Sequence, residues 1–179
     1  MEIREAEPVD AIAIASVNIE TWLTTYRGLL PDEQLASLSH EEREKFYRNM
    51  INNRSHKKFV HVAEDDSGKI VGYVFGGMER SGETLFKGEI YAIYVLADYQ
   101  GQGIGRLLWQ AALDSLKKLK LDSLLVWVLA GNKYAGFYKE LGGQEVDRKE
   151  FTIAGLTIDG IAYGWKVLGE GGRQSLQMK

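Results

Sequence analysis

The sequence predicts a single α/β (α+β) domain built on a central mixed sheet of about six to seven strands flanked by helices. Three observations carry this. A chain of 179 residues is long enough for one sizeable core. Short alternating or continuous apolar runs interleave with longer stretches whose apolar residues recur every three to four positions. No internal repeat and no Pro-, Gly- or Ser-rich linker interrupts residues 1–168.

The elements follow in chain order. "EIREA" reads as a short strand. Pro8 opens a helix reaching about Tyr26, with Ile12, Ala15, Ile19, Trp22 and Leu23 on one stripe. "RGLLPDEQLASLSHEEREKFYRNMINN" holds two further helical pieces, the first started by Pro31 and the second capped by Ser39 ahead of Glu42. The second piece has its apolar stripe through Phe46, Met50 and Ile51. "KFVHVAE" alternates as a strand, "DDSGK" is a turn, and "IVGYVFGGME" and "GEIYAIYVL" are strands. After "YQGQGIG" a helix runs from about Gly103 to Lys120, with Leu107, Leu108, Ala111, Leu116 and Leu119 inward. "SLLVWVL" is apolar throughout and reads as a strand buried on both faces. "NKYAGFYKELGG" is a short helix with Asn132 as N-cap and Gly142 or Gly143 at its end. "QEVDRKEFTIAGLTIDGIAYGWKVL" is a pair of strands turning near Ala154–Gly155, and the polar, glycine-rich residues 169–179 are expected to be a poorly ordered tail.

Composition narrows the function. A formal charge of −3 gives no global attraction to nucleic acid or anionic membrane, so any anion site must be local. The absence of cysteine excludes a disulfide, a thiolate metal site and a cysteine nucleophile, and it suits a reducing cytoplasm. Neither a signal peptide nor a bilayer-spanning stretch is expected. His40, His56 and His61 do not group with acids at metal-ligand spacing, so no metal is expected.

"YQGQGIG" is the informative stretch. A strand feeding a glycine loop and then a helix N-terminus makes an anion cradle, because free amides and the positive end of the helix dipole converge there. Arg106, in the first helical turn, opposes that dipole at about 0.3–1 kcal/mol, a cost that a bound anion offsets. A flexible turn followed by a solvated arginine explains the loop alone equally well. The glycines do not match the dinucleotide pattern G-x-G-x-x-G, and Gly105-Arg106-Leu107 is not the Gly-Lys-Ser/Thr of a nucleotide-triphosphate loop.

The fitting pattern is Q-x-x-G-x-G, given by Gln100, Gly103 and Gly105 directly after "EIYAIYVL". It resembles the pyrophosphate loop of the GNAT superfamily of acetyl-CoA-dependent N-acetyltransferases. "NKYAGFYKELGG" is similar to the family's Asn-led helix after its fifth strand, "WLTTYRGLLPDEQL" to the first-helix region of many bacterial members, and the order of elements matches over residues 1–168. The resemblance implies a sheet splayed between strands four and five, with acetyl-CoA as co-substrate along strand four. Backbone of Ile93, Tyr94 and Val95 would then meet the pantetheine and acetyl group. Gln100, Gly101, Gln102, Gly103, Ile104, Gly105 and Arg106 would hold the pyrophosphate, and Asn132, Ala135 and Tyr138 would complete the cofactor site.

Thioester aminolysis needs a polarised carbonyl, a deprotonated amine and a protonated leaving thiolate. The resemblance points to Glu89 as base, since a carboxylate on a central strand has its pKa raised by burial; a solvated strand-end Glu is the alternative. Tyr138 is the candidate acid, because a phenol near 10 can donate to a thiolate near 8.5; a packing aromatic beside Phe137 is the alternative. Without cysteine, direct attack in a ternary complex is the natural route. Trp22, Tyr26 and Tyr91 are candidates for the acceptor cleft. The acids Glu20, Asp32, Glu33 and Glu89 favour a cationic small amine or polyamine. A protein or peptide acceptor and a non-catalytic acetyl-CoA sensor are the other readings, and a homodimer is compatible with either.

Overall fold

The computed structural model describes residues 1–53, 57–82, 85–153 and 155–168. The chain runs β1 (Glu2–Glu5), a short turn of 3-10 helix, α1 (Ala11–Thr25), α2 (Asp32–Ala36), α3 (His40–Asn52), β2 (Lys58–Glu64), β3 (Ile70–Met78) and β4 (Gly88–Val95). It continues with α4 (Ile104–Lys118), β5 (Leu124–Leu129), α5 (Ala135–Glu140), β6 (Gln144–Ile153) and β7 (Leu156–Trp165). The seven strands form one sheet in the order β1-β2-β3-β4-β5-β7-β6. All neighbours are antiparallel except β4 and β5, which the α4 crossover makes parallel.

That parallel pair is short. Only Gly88–Ile90 pair with Leu124–Val126, although β4 continues to Val95 and β5 to Leu129. Beyond Ile90 the two strands separate, as the splay expected between strands four and five requires. The opposite edge of β4 carries a bulge: Gly76 faces Ile90 and Phe75 faces Ala92, leaving Tyr91 as the extra residue.

The sheet is covered on both faces. On one, α4 packs against β2, β3 and β4, so that Gly72 lies under Leu108 and Gly88 under Leu116. On the other, α1 and α3 cover Tyr73 and Phe75, with Tyr47 of α3 edge-on to both rings. A Cβ at Gly76 would lie 2.6 Å from the Phe59 ring and 2.7 Å from the Glu89 carbonyl, so the strand tolerates only glycine beside the bulge.

The buried faces of three helices differ from the sequence expectation. Ile12 and Leu107, expected inward, are exposed, and so is Phe46. In α1 the buried face instead includes the polar residues Asn18, Thr21 and Thr25. Asn18 Nδ2 donates to the hydroxyls of Tyr73 (2.7 Å) and Tyr47 (3.2 Å), and Thr21 donates to the Val17 carbonyl, so burial leaves these donors satisfied. In α4 the glycine cap sets a phase that buries Leu108, Trp109, Ala112, Ser115 and Leu116. Ser39 caps α3 as expected, accepting from the Glu42 amide. His56, Ala154 and the expected tail lie outside the described residues. Among the described residues, no helix is long and apolar enough to cross a membrane, and no three His, Asp or Glu side chains gather as a metal site.

Candidate active site

The splay opens into a cavity of about 440 Å³ between the diverging ends of β4 and β5. Its floor follows from strand geometry. The Leu96 amide donates to the Val71 carbonyl, so Leu96 and, two residues back, Tyr94 face β3 with their backbone groups. Ile93 and Val95 therefore point their amides and carbonyls into the gap. Expected as a backbone ligand, Tyr94 contributes its side chain to the cavity instead, with its hydroxyl 3.2 Å from that of Tyr26.

At one end lies the glycine loop. Gly101 (φ +75°) and Gly103 (φ +82°) occupy left-handed conformations that glycine adopts without strain. The backbone amides of Gly101, Gln102, Gly103, Ile104 and Gly105 have no acceptor among the described residues, whereas the Arg106 amide turns back to the Gly103 carbonyl. These amides converge at the N-terminus of α4. Gln100 fastens the loop: its amide nitrogen donates to the Val95 carbonyl at 2.8 Å, and its oxygen accepts from the Tyr134 hydroxyl at 2.8 Å. Gln102 does not line the cavity, and its side chain bonds the Asp98 carbonyl. Arg106 lines the cavity while paired with Glu140 at 3.0 Å, so its charge is not left to oppose the dipole alone.

The Asn-led segment closes the cavity from the α4 side. Asn132 does not cap α5, which begins three residues later. Its Oδ1 accepts from the Tyr134 amide at 2.9 Å, an Asx turn that leads the chain into the helix. Ala135 lies against the core without lining the cavity. Tyr138 projects into it beside Trp109 and Phe137, stacked on Tyr163, and its hydroxyl makes no hydrogen bond among the described residues. Burial, with Tyr26 nearby, holds this phenol well above its ordinary pKa, so it stays protonated.

Thr21 and Thr25 of α1, Tyr26 just beyond it, and Tyr91 and Ala92 of β4 also line the cavity. Trp22, expected here, packs away against Tyr26, Leu30 and Leu35 with Arg43 over its ring, because α1 turns it toward α2 and α3. Glu89 is 2% exposed, as expected of a strand carboxylate, but it is not among the lining residues. Arg80, on the turn after β3, holds both of its oxygens: Nη2 donates to Oε1 at 2.6 Å, while Nε and the backbone amide donate to Oε2 at 3.1 Å. The same guanidinium lies 4.0 Å over the Tyr91 ring, whose hydroxyl donates to the Met78 carbonyl. Glu20, Asp32 and Glu33 are exposed and also absent from the lining. The acid-lined acceptor end expected from the sequence is therefore missing among the described residues.

The cavity also recruits residues that the sequence reading left out: Ile90, Tyr99, Val126, Trp127, Val128, Tyr134 and Phe137, besides the two threonines. Those from β5 become available only because its pairing with β4 stops at Val126.

Known proteins share this architecture. A profile described as "Acetyltransferase (GNAT) family" matches residues 19–142. An uncharacterized N-acetyltransferase of Bacillus subtilis, YuaI, is 35% identical over 163 residues, covering 91% of each chain. Among solved structures, the PaiA N-acetyltransferase of Thermoplasma acidophilum in complex with coenzyme A superposes with a TM-score of 0.70 at 20% identity, covering 92% of this chain and 98% of the other. A ribosomal-protein-alanine N-acetyltransferase of Brucella melitensis gives 0.72 at 23% identity, covering 92% and 99%.

Proposed function

The chain belongs to the acetyltransferase (GNAT) family, and on that premise we propose that it transfers the acetyl group of acetyl-CoA to a small primary amine by direct attack within a ternary complex. The observation that carries this reading is the meeting, in one cavity, of the loop residues Gly101, Gly103, Ile104 and Gly105, whose amides have no acceptor among the described residues, with a slot where β4 and β5 have parted.

The residues fit the co-substrate. Amides from Gly101 to Gly105 and the N-terminus of α4 suit a pyrophosphate, with Arg106 free to leave Glu140 for it. The backbone of Ile93 and Val95 gives the pantetheine a strand to pair with. When bound, acetyl-CoA supplies an activated acyl carbon on a thioester.

Each chemical demand then has a candidate. The Ile93 amide, aimed into a gap lined by Val126 and Val128, supports charge building on the acyl oxygen; such a donor is typically worth a few kcal/mol. Tyr138 is the proton donor to sulfur as the C–S bond breaks and the C–N bond forms. The resulting phenolate takes back the proton that the nitrogen sheds. Burial keeps the phenol protonated, so the proton it donates is in place when the thiolate departs. With both oxygens bound to Arg80, Glu89 braces Tyr91 rather than serving as a free base. Tyr26 and Tyr91 flank the route by which the amine reaches the thioester.

The test is release of free thiol from acetyl-CoA across a panel of primary amines. Release that depends on an added amine and matches the acetylated product is expected. Binding of acetyl-CoA with no amine-dependent release would support the sensor reading instead.

A further inference from the structure

We propose that the acceptor is a primary amine of low basicity, of the α-amino kind, carried on a neutral or aromatic body with no second positive charge. The inference rests on the acetyltransferase reading and names the substrate class of that same cavity. Two observations carry it. No carboxylate lines the cavity among the described residues, and the one acid buried near its acceptor end, Glu89, has both oxygens taken by Arg80.

The titratable groups facing the cavity are Tyr26 from α1, Tyr91 and Tyr94 from β4, Tyr99 before the loop, Tyr134 and Tyr138 at α5, and Arg106 from α4. Burial raises Tyr26, Tyr91, Tyr94 and Tyr138, so these phenols are neutral across the physiological range. Beside the Tyr91 ring Arg80 is paired with Glu89, and at the loop Arg106 is paired with Glu140, while Glu79, whose charge also reaches Tyr91, accepts from the Ser81 and Gly82 amides.

This lining has two consequences. A polyamine would bring at least one further ammonium into a pocket whose described lining residues include no carboxylate to pair it, and desolvating an unpaired charge is strongly unfavourable. Nor does the cavity hold a carboxylate to strip an ammonium of its proton, so the amine must arrive neutral. At pH 7.5 an α-amine with a pKa of 7.7–8.0 is about 30% neutral, against ~0.1% for an alkylamine near 10.4. The cavity therefore selects by basicity as well as by shape. Tyr26 and Tyr91 both line the cavity and give an apolar or aromatic body rings to contact, and the Thr25 hydroxyl, without a partner among the described residues, offers a hydrogen bond.

Matched pairs of acceptors separate basicity from shape: phenylalaninamide against phenethylamine and glycinamide against ethylamine, with spermidine as the polycation, each with acetyl-CoA and the full chain. At pH 7.5, kcat/KM for each α-amine is expected to exceed that of its alkylamine partner tenfold or more, with spermidine poorest. Raising the pH from 7.5 to 9.5 is expected to lift phenethylamine about tenfold per unit while phenylalaninamide levels off above pH 8. Spermidine as the best acceptor, or equal efficiency within each pair at pH 7.5, would overturn the inference alone, whereas turnover of none of them by a chain that binds acetyl-CoA would overturn the acetyltransferase reading as well. Failure to bind acetyl-CoA would overturn the acetyltransferase reading beneath it.

Discussion

Tyr138→Phe is expected to lower kcat by about 10²–10⁴-fold while leaving affinity for acetyl-CoA nearly unchanged. The substitution removes one oxygen and nothing of the packing. The ring stays stacked on Tyr163 and edge-on to Trp109 and Phe137, and the lost hydroxyl has no hydrogen-bond partner in the described chain. Stability should therefore move little, which separates this variant from one that merely fails to fold. The thiolate would have to leave without a proton in an apolar cavity, where an unpaired anion is least stable. Steady-state kinetics with a competent amine, beside calorimetric binding of acetyl-CoA, reads both quantities. An unchanged kcat would mean that sulfur takes its proton from water.

Gly105→Val is expected to reduce acetyl-CoA affinity at least a hundredfold with the fold intact. Gly105 has ordinary helical φ, and a Cβ there would stand 3.5 Å from the Phe137 ring, an ordinary contact, so the free chain accommodates it. The side chain would project between the loop amides and Phe137, where a phosphate must approach the backbone closely. Gly103→Val makes a less clean variant. At φ +82° any β-carbon adds roughly 1–2 kcal/mol of backbone strain, and lost binding would mix with a disturbed cap. Thermal melts of the free variant, followed by titration with acetyl-CoA, separate the two effects.

What could be read from the sequence was what has a local cause. The glycine loop, the strand before it and the Asn-to-Tyr segment were legible because backbone conformation and helix termini demand particular residues at fixed offsets. The α1 face was not, because Asn18 and Thr21 are polar yet buried. The Asn18 amide nitrogen is satisfied by hydroxyls of Tyr47 and Tyr73, far along the chain. Glu89 was legible as buried but not as paired, since its partner Arg80 reaches it across the β3–β4 turn and the sequence does not say where that arginine points. Asn132 was misassigned because a cap and an Asx turn look alike in sequence: each sets a side-chain oxygen on an amide shortly downstream. The bulge at Tyr91 was invisible to an alternation that assumed an unbroken strand.

The central claim is that the loop amides and the splayed strands together hold acetyl-CoA. A thermal melt of the wild-type chain with acetyl-CoA, NADH and ATP in turn tests it most directly, since a ligand bound only to the native state stabilises it by about 2.7 kcal/mol at a hundredfold excess over Kd. A rise in Tm with acetyl-CoA and none with NADH or ATP is the expected result. A rise with NADH or ATP and none with acetyl-CoA would contradict it.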